Sequence, residues 1–333
     1  MPLRDTPSAT AFPSPALPNA FARAHLSSLD GLRAIAVLMV IALHFGFAWV
    51  PGGSGVTMFF VLSGFLITWL LVAEQESTGA VDLWAFYRRR SLRIFPAFYG
   101  YWLLVVALLL VTGRPVPWGA AVSSALYLGD YYNALYDAPG SHFSHTWSLA
   151  IEEQFYLLWP VTFLWLRRTG DGALRRLAVI IAAAWGYRIW LVFGGLASVS
   201  WRYAAFDARF DALLVGCLLA LLLRSRHAPA VLALASRWWY GCVTLALLAL
   251  LHAGLRAGGV DYRDTVLHAL APPLIAIVIV QAITHHAHPM WGWLDWAPLR
   301  ALGRISYGVY LYQQLCMDQI GRASCRERVC LAV

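Results

Sequence analysis

The feature that most constrains this chain is a succession of apolar stretches of membrane-crossing length, separated by short hydrophilic connections. They run at about 32–50, 55–73, 95–112, 148–166, 177–197, 208–223, 239–256, 266–284 and 303–319. Once water is gone, every backbone N–H and C=O must be satisfied within the segment, so such stretches read as helices. A shorter stretch at about 118–131 ends in Gly129–Asp130 and reads as a half-span or re-entrant helix. Only 13% of the residues are charged and 60% are hydrophobic, where a soluble domain carries about 25% charged. That excludes a water-soluble globule, a disordered chain and a disulfide scaffold. At about 30 residues per helix and turn, the length holds at most roughly ten or eleven spans. The expected fold class is all-α: a polytopic transmembrane helix bundle of about 9–10 spans, its last helix cut short.

The ends differ from the body. Residues 1–25 are rich in Pro, Ala and Ser and lack the apolar core of a signal peptide, so they read as a disordered tail. The membrane domain is expected over 26–319. At Ile320–Val329 the sequence IGRASCRERV breaks an apolar run in mid-helix and resembles a translated sequencing-library adapter. Residues 320–333 are therefore expected to be a non-native tail. Of the net charge of +8, residues 321–333 supply +2, from Arg322, Arg326 and Arg328 against Glu327, which leaves +6. Cys325 and Cys330 fall in the same tail. Cys217, Cys242 and Cys316 lie singly in apolar segments and read as small buried hydrophobes.

All 25 basic residues are Arg. Lysine chemistry is thereby excluded, and every basic group is a permanently charged, bidentate anion binder. The arginines cluster between apolar runs, which is the pattern of cytoplasmic loops rather than of nucleic-acid binding. Arg4, Arg23 and Arg33 precede the first span, the loop Pro51–Gly55 is uncharged, and Arg88, Arg89, Arg90 and Arg93 follow the second. The N-terminus is thus expected to be cytoplasmic. The clusters Arg167/Arg168, Arg175/Arg176 and Arg224/Arg226/Arg237 share that side only if 118–131 does not cross fully.

Several polar groups sit where lipid makes them costly, which marks functional candidates. In LDGLRAIAVLMVIALHF, Arg33 and His44 are eleven residues apart, three helical turns on one face and about 16 Å along the axis. His44 is expected deep in the span and Arg33 at the rim. In GVTMFFVLSGFLIT, Ser63 and Gly64 allow close helix approach; a GxSxG elbow is not present, so a serine nucleophile is poorly supported. In FYRRRSLRIFP, Arg90 and Arg93 lie one turn apart and suit either phosphate binding or interfacial anchoring. In HTWSLAIEEQFYLLWP, Glu152 lies on a stripe with Phe155, Tyr156 and Trp159, where it would face a site or pair with an Arg; Glu153 suits the helix dipole. Arg209 and Asp211 of RFDALLVG read as an interfacial pair. Tyr307, Tyr310 and Gln313 share a helical face in LGRISYGVYLYQQL.

Two further patterns carry less. His25 to Asp30 fits an HxxxxD acyltransferase pattern, but it lies at the tail and lacks the Gly-rich partner motif. His285, His286 and His288 read as a solvated loop trio rather than metal ligands, and no metal or bound cofactor is expected.

Six blocks in order, LDGLRAIAVLMVIALHF, FFVLSGFLIT, RRSLRIFP, TWSLAIEEQFYLLWP, RFDALLVG and LGRISYGVYLY, resemble the acyltransferase 3 family of integral-membrane acyltransferases, typical of bacteria. The resemblance covers about 27–319. It implies transfer of an acyl group, often acetyl, from acyl-CoA to a hydroxyl on a surface polysaccharide, lipid or metabolite, in the bacterial cytoplasmic (inner) membrane. By position it places the functional His on His44, the Arg on Arg33, the Arg pair on Arg90 and Arg93, and the acid on Glu152. Tyr156 and Ser63 join Arg33, Arg90 and Arg93 as substrate-binding candidates, with His44 and Glu152 as catalytic ones. The expected partners are acyl-CoA as co-substrate, a glycan or lipid-linked acceptor and the bilayer. An imidazole, which ordinarily titrates near pH ~6.5, suits a general base. The rival readings are a transporter or flippase without chemistry, which would show broken helices in paired repeats, and a scaffold for a neighbouring glycosyltransferase.

Overall fold

The computed structural model describes Phe21 and residues 26–137, 140–168, 170 and 172–320. The expectations for the first 25 residues, Phe21 apart, and for 321–333 lie outside the described residues. Among the described residues all regular structure is helical. The long helices are α1 (Ser27–His44), α2 (Gly52–Thr78) and α3 (Leu83–Val111), then, after the short α4 (Trp118–Ala125) and α5 (Gly129–Tyr136), α6 (Trp147–Arg167) and α7 (Gly172–Phe193). Two short helices, α8 (Val199–Ala204) and α9 (Phe206–Arg209), lead into α10 (Asp211–Leu223). After α11 (Ala228–Ala233) come α12 (Tyr240–Tyr262), a π-helical turn at Arg263–Leu267, α13 (His268–Thr284), α14 (Pro289–Gly292) and α15 (Ala297–Ile320). Five stretches combine the length and apolarity needed to cross a bilayer: α1, α2, α3, α7 and the 45-residue run Tyr240–Thr284. The other apolar segments of the sequence lie on α6, α10 and α15. The chain is an all-α polytopic bundle.

Helix α2 is the centre. Helix α1 lies along one side of it and α10 along the other, while α15 covers α1 from outside. Small residues make these crossings possible. A Cβ on Gly64 would run into the backbone of Leu213, and one on Gly216 into the backbone of Val61, so α2 and α10 meet backbone to backbone. Gly303 likewise lets α15 reach the backbone of Asp30 on α1. These contacts fix the α1–α2 face against which the polar groups of the bundle assemble.

The stretch 118–131 does not cross as one helix. Tyr127, at φ 54°, breaks it into α4 and α5, each eight residues and so about 12 Å long. Helix α6 can therefore return to the end from which α3 started. At that end Glu74, Gln75 and Glu76 of α2 meet Arg89 of α3 (2.9 Å), Arg167 of α6 (2.9 Å) and Arg224 of α10 (2.8 Å). Such partly exposed pairs are each worth about 0–1 kcal/mol, so they report alignment more than stability. Three of the Arg clusters of the sequence thus gather at one end of the bundle.

Helix α1 stops earlier than its hydropathy suggests. His44 is its last residue, and Gly46, at φ 89°, turns the chain into an exposed segment that carries Phe47 and Trp49. His44 is therefore at the far end of α1 rather than deep in a span reaching residue 50. The apolar character of 45–50 is that of aromatic residues suited to an interface, not of continued helix.

Candidate functional site

The N-terminal half of the site starts from a cap. The Asp82 side chain accepts the Ala85 N–H at 2.9 Å and sets the start of α3. Two to three turns later that helix delivers Arg90 and Arg93 beside Arg33 of α1. Helix α6 brings Glu152 and Tyr156, one turn apart, to the same place. The Arg90 guanidinium lies 3.6 Å from the centroid of the Tyr156 ring, a cation–π contact worth roughly 0.5–2 kcal/mol. Glu152 accepts the Ser63 hydroxyl at 2.7 Å and faces Arg90, Arg33 and Arg93. Asp30 approaches Arg33 to 4.0 Å. Glu152 and Asp30 offset part of the charge of the three guanidiniums in a region where an isolated charge would be costly.

The structure thus brings together six of the seven residues singled out from sequence: Arg33, Arg90, Arg93, Glu152, Tyr156 and Ser63. Glu152 sits among the arginines, the pairing that is one of its two sequence readings, with Ser63 and the guanidiniums around its carboxylate. The cluster is also recessed rather than at the rim: α2 runs fifteen residues past Ser63, about 22 Å, before it ends at Thr78. Arg33 retains 19% side-chain exposure and Arg93 is exposed, so the cluster opens to one side.

His44 stands about three turns along α1 from Arg33. Its ring turns inward, beside the side chain of Gln313 on α15 and close to His145. A polar stripe on α15 spans the interval. Tyr307 faces Glu152, Glu153 and Arg90. Tyr310 shares a 2.6 Å hydrogen bond with Ser148 and donates to the His145 carbonyl at 2.9 Å. Gln313 reaches His44. The helical spacing read from the sequence has become a polar track between the two ends of the site.

Sequence reasoning passed over His145 and Ser148. His145 is buried; its Nε2 lies 3.0 Å from the Leu311 carbonyl, so that nitrogen carries the proton and Nδ1 keeps a lone pair. Tyr101 packs edge-on against the His145 ring and donates to the His142 carbonyl at 2.6 Å. A usable signal existed. Residues 145, 148, 152 and 156 fall at i, i+3, i+7 and i+11, one helical face carrying His, Ser, Glu and Tyr in an apolar segment.

The pair Arg209–Asp211 is corrected. Both are buried, and they bond elsewhere: Arg209 to His268 and Thr57, Asp211 to Arg188 and Trp185. Four residues from Phe206 to Arg209 form α9, and the switch into α10 turns the two side chains apart. The His285–His288 trio is partly buried or set on backbone, not simply solvated: His285 lies 2.6 Å from the Ala235 carbonyl and His288 accepts from the Met290 N–H.

Three partly exposed guanidiniums, an acid and an imidazole, all from the sequence blocks noted above, thus lie along α1, α3, α6 and α15. Residues 26–323 match the family described as Acyltransferase domain, and the chain belongs to this family, acyltransferase 3. Among curated relatives it is similar to the peptidoglycan O-acetyltransferase OatA of Listeria monocytogenes, 32% identical over 316 residues, which is 88% of this chain and 49% of that protein. It is also similar to the O-acetyltransferase OatA of Staphylococcus aureus, 36% identical over 215 residues, which is 60% of this chain and 35% of that one. The chain spans about half the length, or less, of these relatives. No solved structure matches it.

Proposed function

We propose that this chain is a membrane O-acetyltransferase that moves an acetyl group from acyl-CoA to a hydroxyl of a surface glycan. The observation that carries the reading is the alignment of the open Arg33–Arg90–Arg93 cluster with His44 along one polar track. Arg33, Arg90 and Arg93 hold the phosphates of the donor; guanidiniums suit phosphate oxygens bidentately. Glu152, tied to Ser63, and Tyr156, under Arg90, keep those guanidiniums spread and aimed. The thioester arm runs along the Tyr307–Tyr310–Gln313 stripe, and the axial interval of about 16 Å between Arg33 and His44 matches its reach.

At His44 the acceptor hydroxyl loses its proton to the imidazole as its oxygen attacks the thioester carbonyl. The carbon–sulfur bond then breaks, and the CoA thiolate leaves and takes up a proton. General-base help of this kind is worth about 10²–10⁴-fold. The Arg-rich end faces the cytoplasm of a bacterial inner membrane, where acyl-CoA is available, and the His44 end faces outward. The names of the relatives favour a peptidoglycan-like acceptor.

The test uses membranes containing the chain, radiolabelled acetyl-CoA and a glycan acceptor. Label should enter the acceptor with wild type and fall by about 10²-fold or more with His44→Ala. With Arg33→Ala the donor KM should rise. Wild-type product from His44→Ala would end the catalytic assignment, and movement of unmodified glycan without label would favour a transporter.

A further inference from the structure

A groove on the outer surface of the bundle lies away from the site just described. It runs between α7, α10 and α11 and holds about 500 Å³ of open space. Its walls are apolar: Leu174 of α7, Leu218 and Leu222 of α10 and Val231 of α11. Two polar side chains join them, Arg175 and His227.

The groove follows from how α10 ends. Arg224, the next residue, pairs with Glu76 at 2.8 Å and lies 4.0 Å from the centroid of the Trp69 ring, so it is drawn toward α2. The Ser225 hydroxyl then accepts the His227 N–H at 3.2 Å, and the chain turns into α11. Helix α7 starts at the same end with Leu174 and Arg175 in its first turn. Leu218 is five residues from the end of α10, and Ala178, which also lines the groove, is six from the start of α7. The apolar walls therefore reach roughly 8–9 Å along the helices.

At this end of the bundle Arg89, Arg167 and Arg224 each have a partner on α2. Arg175 is exposed, and no carboxylate among the described residues lies within ion-pair distance of it. His227 is exposed too, and its ring makes no hydrogen bond among the described residues. Two unengaged donors at the mouth of an apolar groove suit a ligand with an anionic head and an apolar tail. The surroundings give its depth. Arg226 and Arg237 are exposed, and Trp238 and Trp239, just after α11, are 45% and 43% exposed. Exposed Trp beside Arg marks the headgroup level of a bilayer, where basic pockets between helices take anionic lipid headgroups. Among the described residues none from α12 or α15 lines the groove.

We propose that this groove binds an anionic membrane phospholipid, its phosphodiester held by Arg175 and His227 and one acyl chain laid between α7, α10 and α11. The two free oxygens of a phosphodiester match a guanidinium fork, and an imidazole N–H adds a further bond. A zwitterionic lipid carries the same phosphate beside a cationic amine that offsets it, so the head selects by charge while the groove holds the chain. The bound lipid bridges α7 and α11 and touches none of Arg33, Arg90, Arg93 and His44.

The experiment uses the full chain, purified in detergent and stripped of lipid. It is titrated with phosphatidylglycerol or phosphatidylcholine of identical acyl chains, bound lipid is counted by native mass spectrometry, and melting temperature is followed in parallel. Wild type should bind phosphatidylglycerol about five- to tenfold more tightly and gain melting temperature with it. Arg175→Gln combined with His227→Gln should bring the two lipids level and leave the lipid-free melting temperature unchanged. Ala178→Trp, which fills the groove from an exposed position, should weaken both lipids while their ratio holds. Equal affinity of wild type for the two lipids would overturn the proposal, as would a preference that survives the double substitution or full binding to Ala178→Trp. Competition of acetyl-CoA for the bound phosphatidylglycerol would overturn it by giving the groove to the donor. A lipid-free dimer that Ala178→Trp splits would give it to a second copy of the chain.

Discussion

The two arginine clusters answer the same physical problem in opposite ways. Around Glu152 the guanidiniums of Arg33, Arg90 and Arg93 come from α1 and α3, and part of the group remains exposed. Around Asp264 the guanidiniums of Arg202 and Arg263 are closed into the bundle and share one fully buried carboxylate. The proposed role of the first cluster, holding and releasing an anionic donor, asks for charges that stay partly exposed, so that the site can exist with or without its ligand. Charges that hold helices in place are sealed and paired. The difference teaches that burial and pairing, more than the count of arginines, separate a binding cluster from a scaffold cluster.

The largest effect that could break this contrast is Asp264→Ala. It strips Arg202 and Arg263 of their shared partner, and removing one member of a buried pair costs about 3–5 kcal/mol. Thermal unfolding of the purified chain should show a large fall; an unchanged melting temperature would mean that the sealed cluster is not a scaffold. Arg93→Ala comes next. It should raise the donor KM about tenfold while the melting temperature holds, and a large loss of stability instead would place Arg93 in the scaffold class.

The smallest effect is the response to salt. Between about 0.1 M and 1 M the Debye length falls from about 10 Å to 3 Å. The donor KM, set by the open cluster, should rise several-fold over that range. The melting temperature, set by the sealed cluster around Asp264, should hardly move. A fall in melting temperature as steep as the rise in KM would erase the distinction between the two clusters.

Much of this was legible from residues. The apolar runs marked the helices because a lipid-embedded backbone has few alternatives. The spacing of Arg33 and His44, of Arg90 and Arg93, and of Glu152 and Tyr156 survived into the structure because helical periodicity places side chains before any tertiary contact forms. The misreadings have a common cause. Hydropathy does not see where a helix stops, so Gly46 ended α1 at His44 inside a run that stays apolar to Val50. Proximity in sequence does not see a change of helix, so Arg209 and Asp211 read as partners although α9 gives way to α10 between them. The sealed cluster escaped notice because Arg188, Arg202, Arg263 and Asp264 come from separate parts of the chain, and only packing assembles them.

The backbone contact of Gly64 with Leu213, and of Gly216 with Val61, links these two clusters mechanically. Ser63 beside that crossing holds Glu152, and the N-terminal turn of α10 beyond it begins two residues after Arg209. At these two points main chain meets main chain, and the Cys217 thiol of α10 rests on the Gly64 carbonyl at 3.3 Å, so sliding one helix along the other would break a close-packed seam. Helices α2 and α10 thus form one stiff unit, a keel that sets the distance between the cluster around Glu152 and the cluster around Asp264.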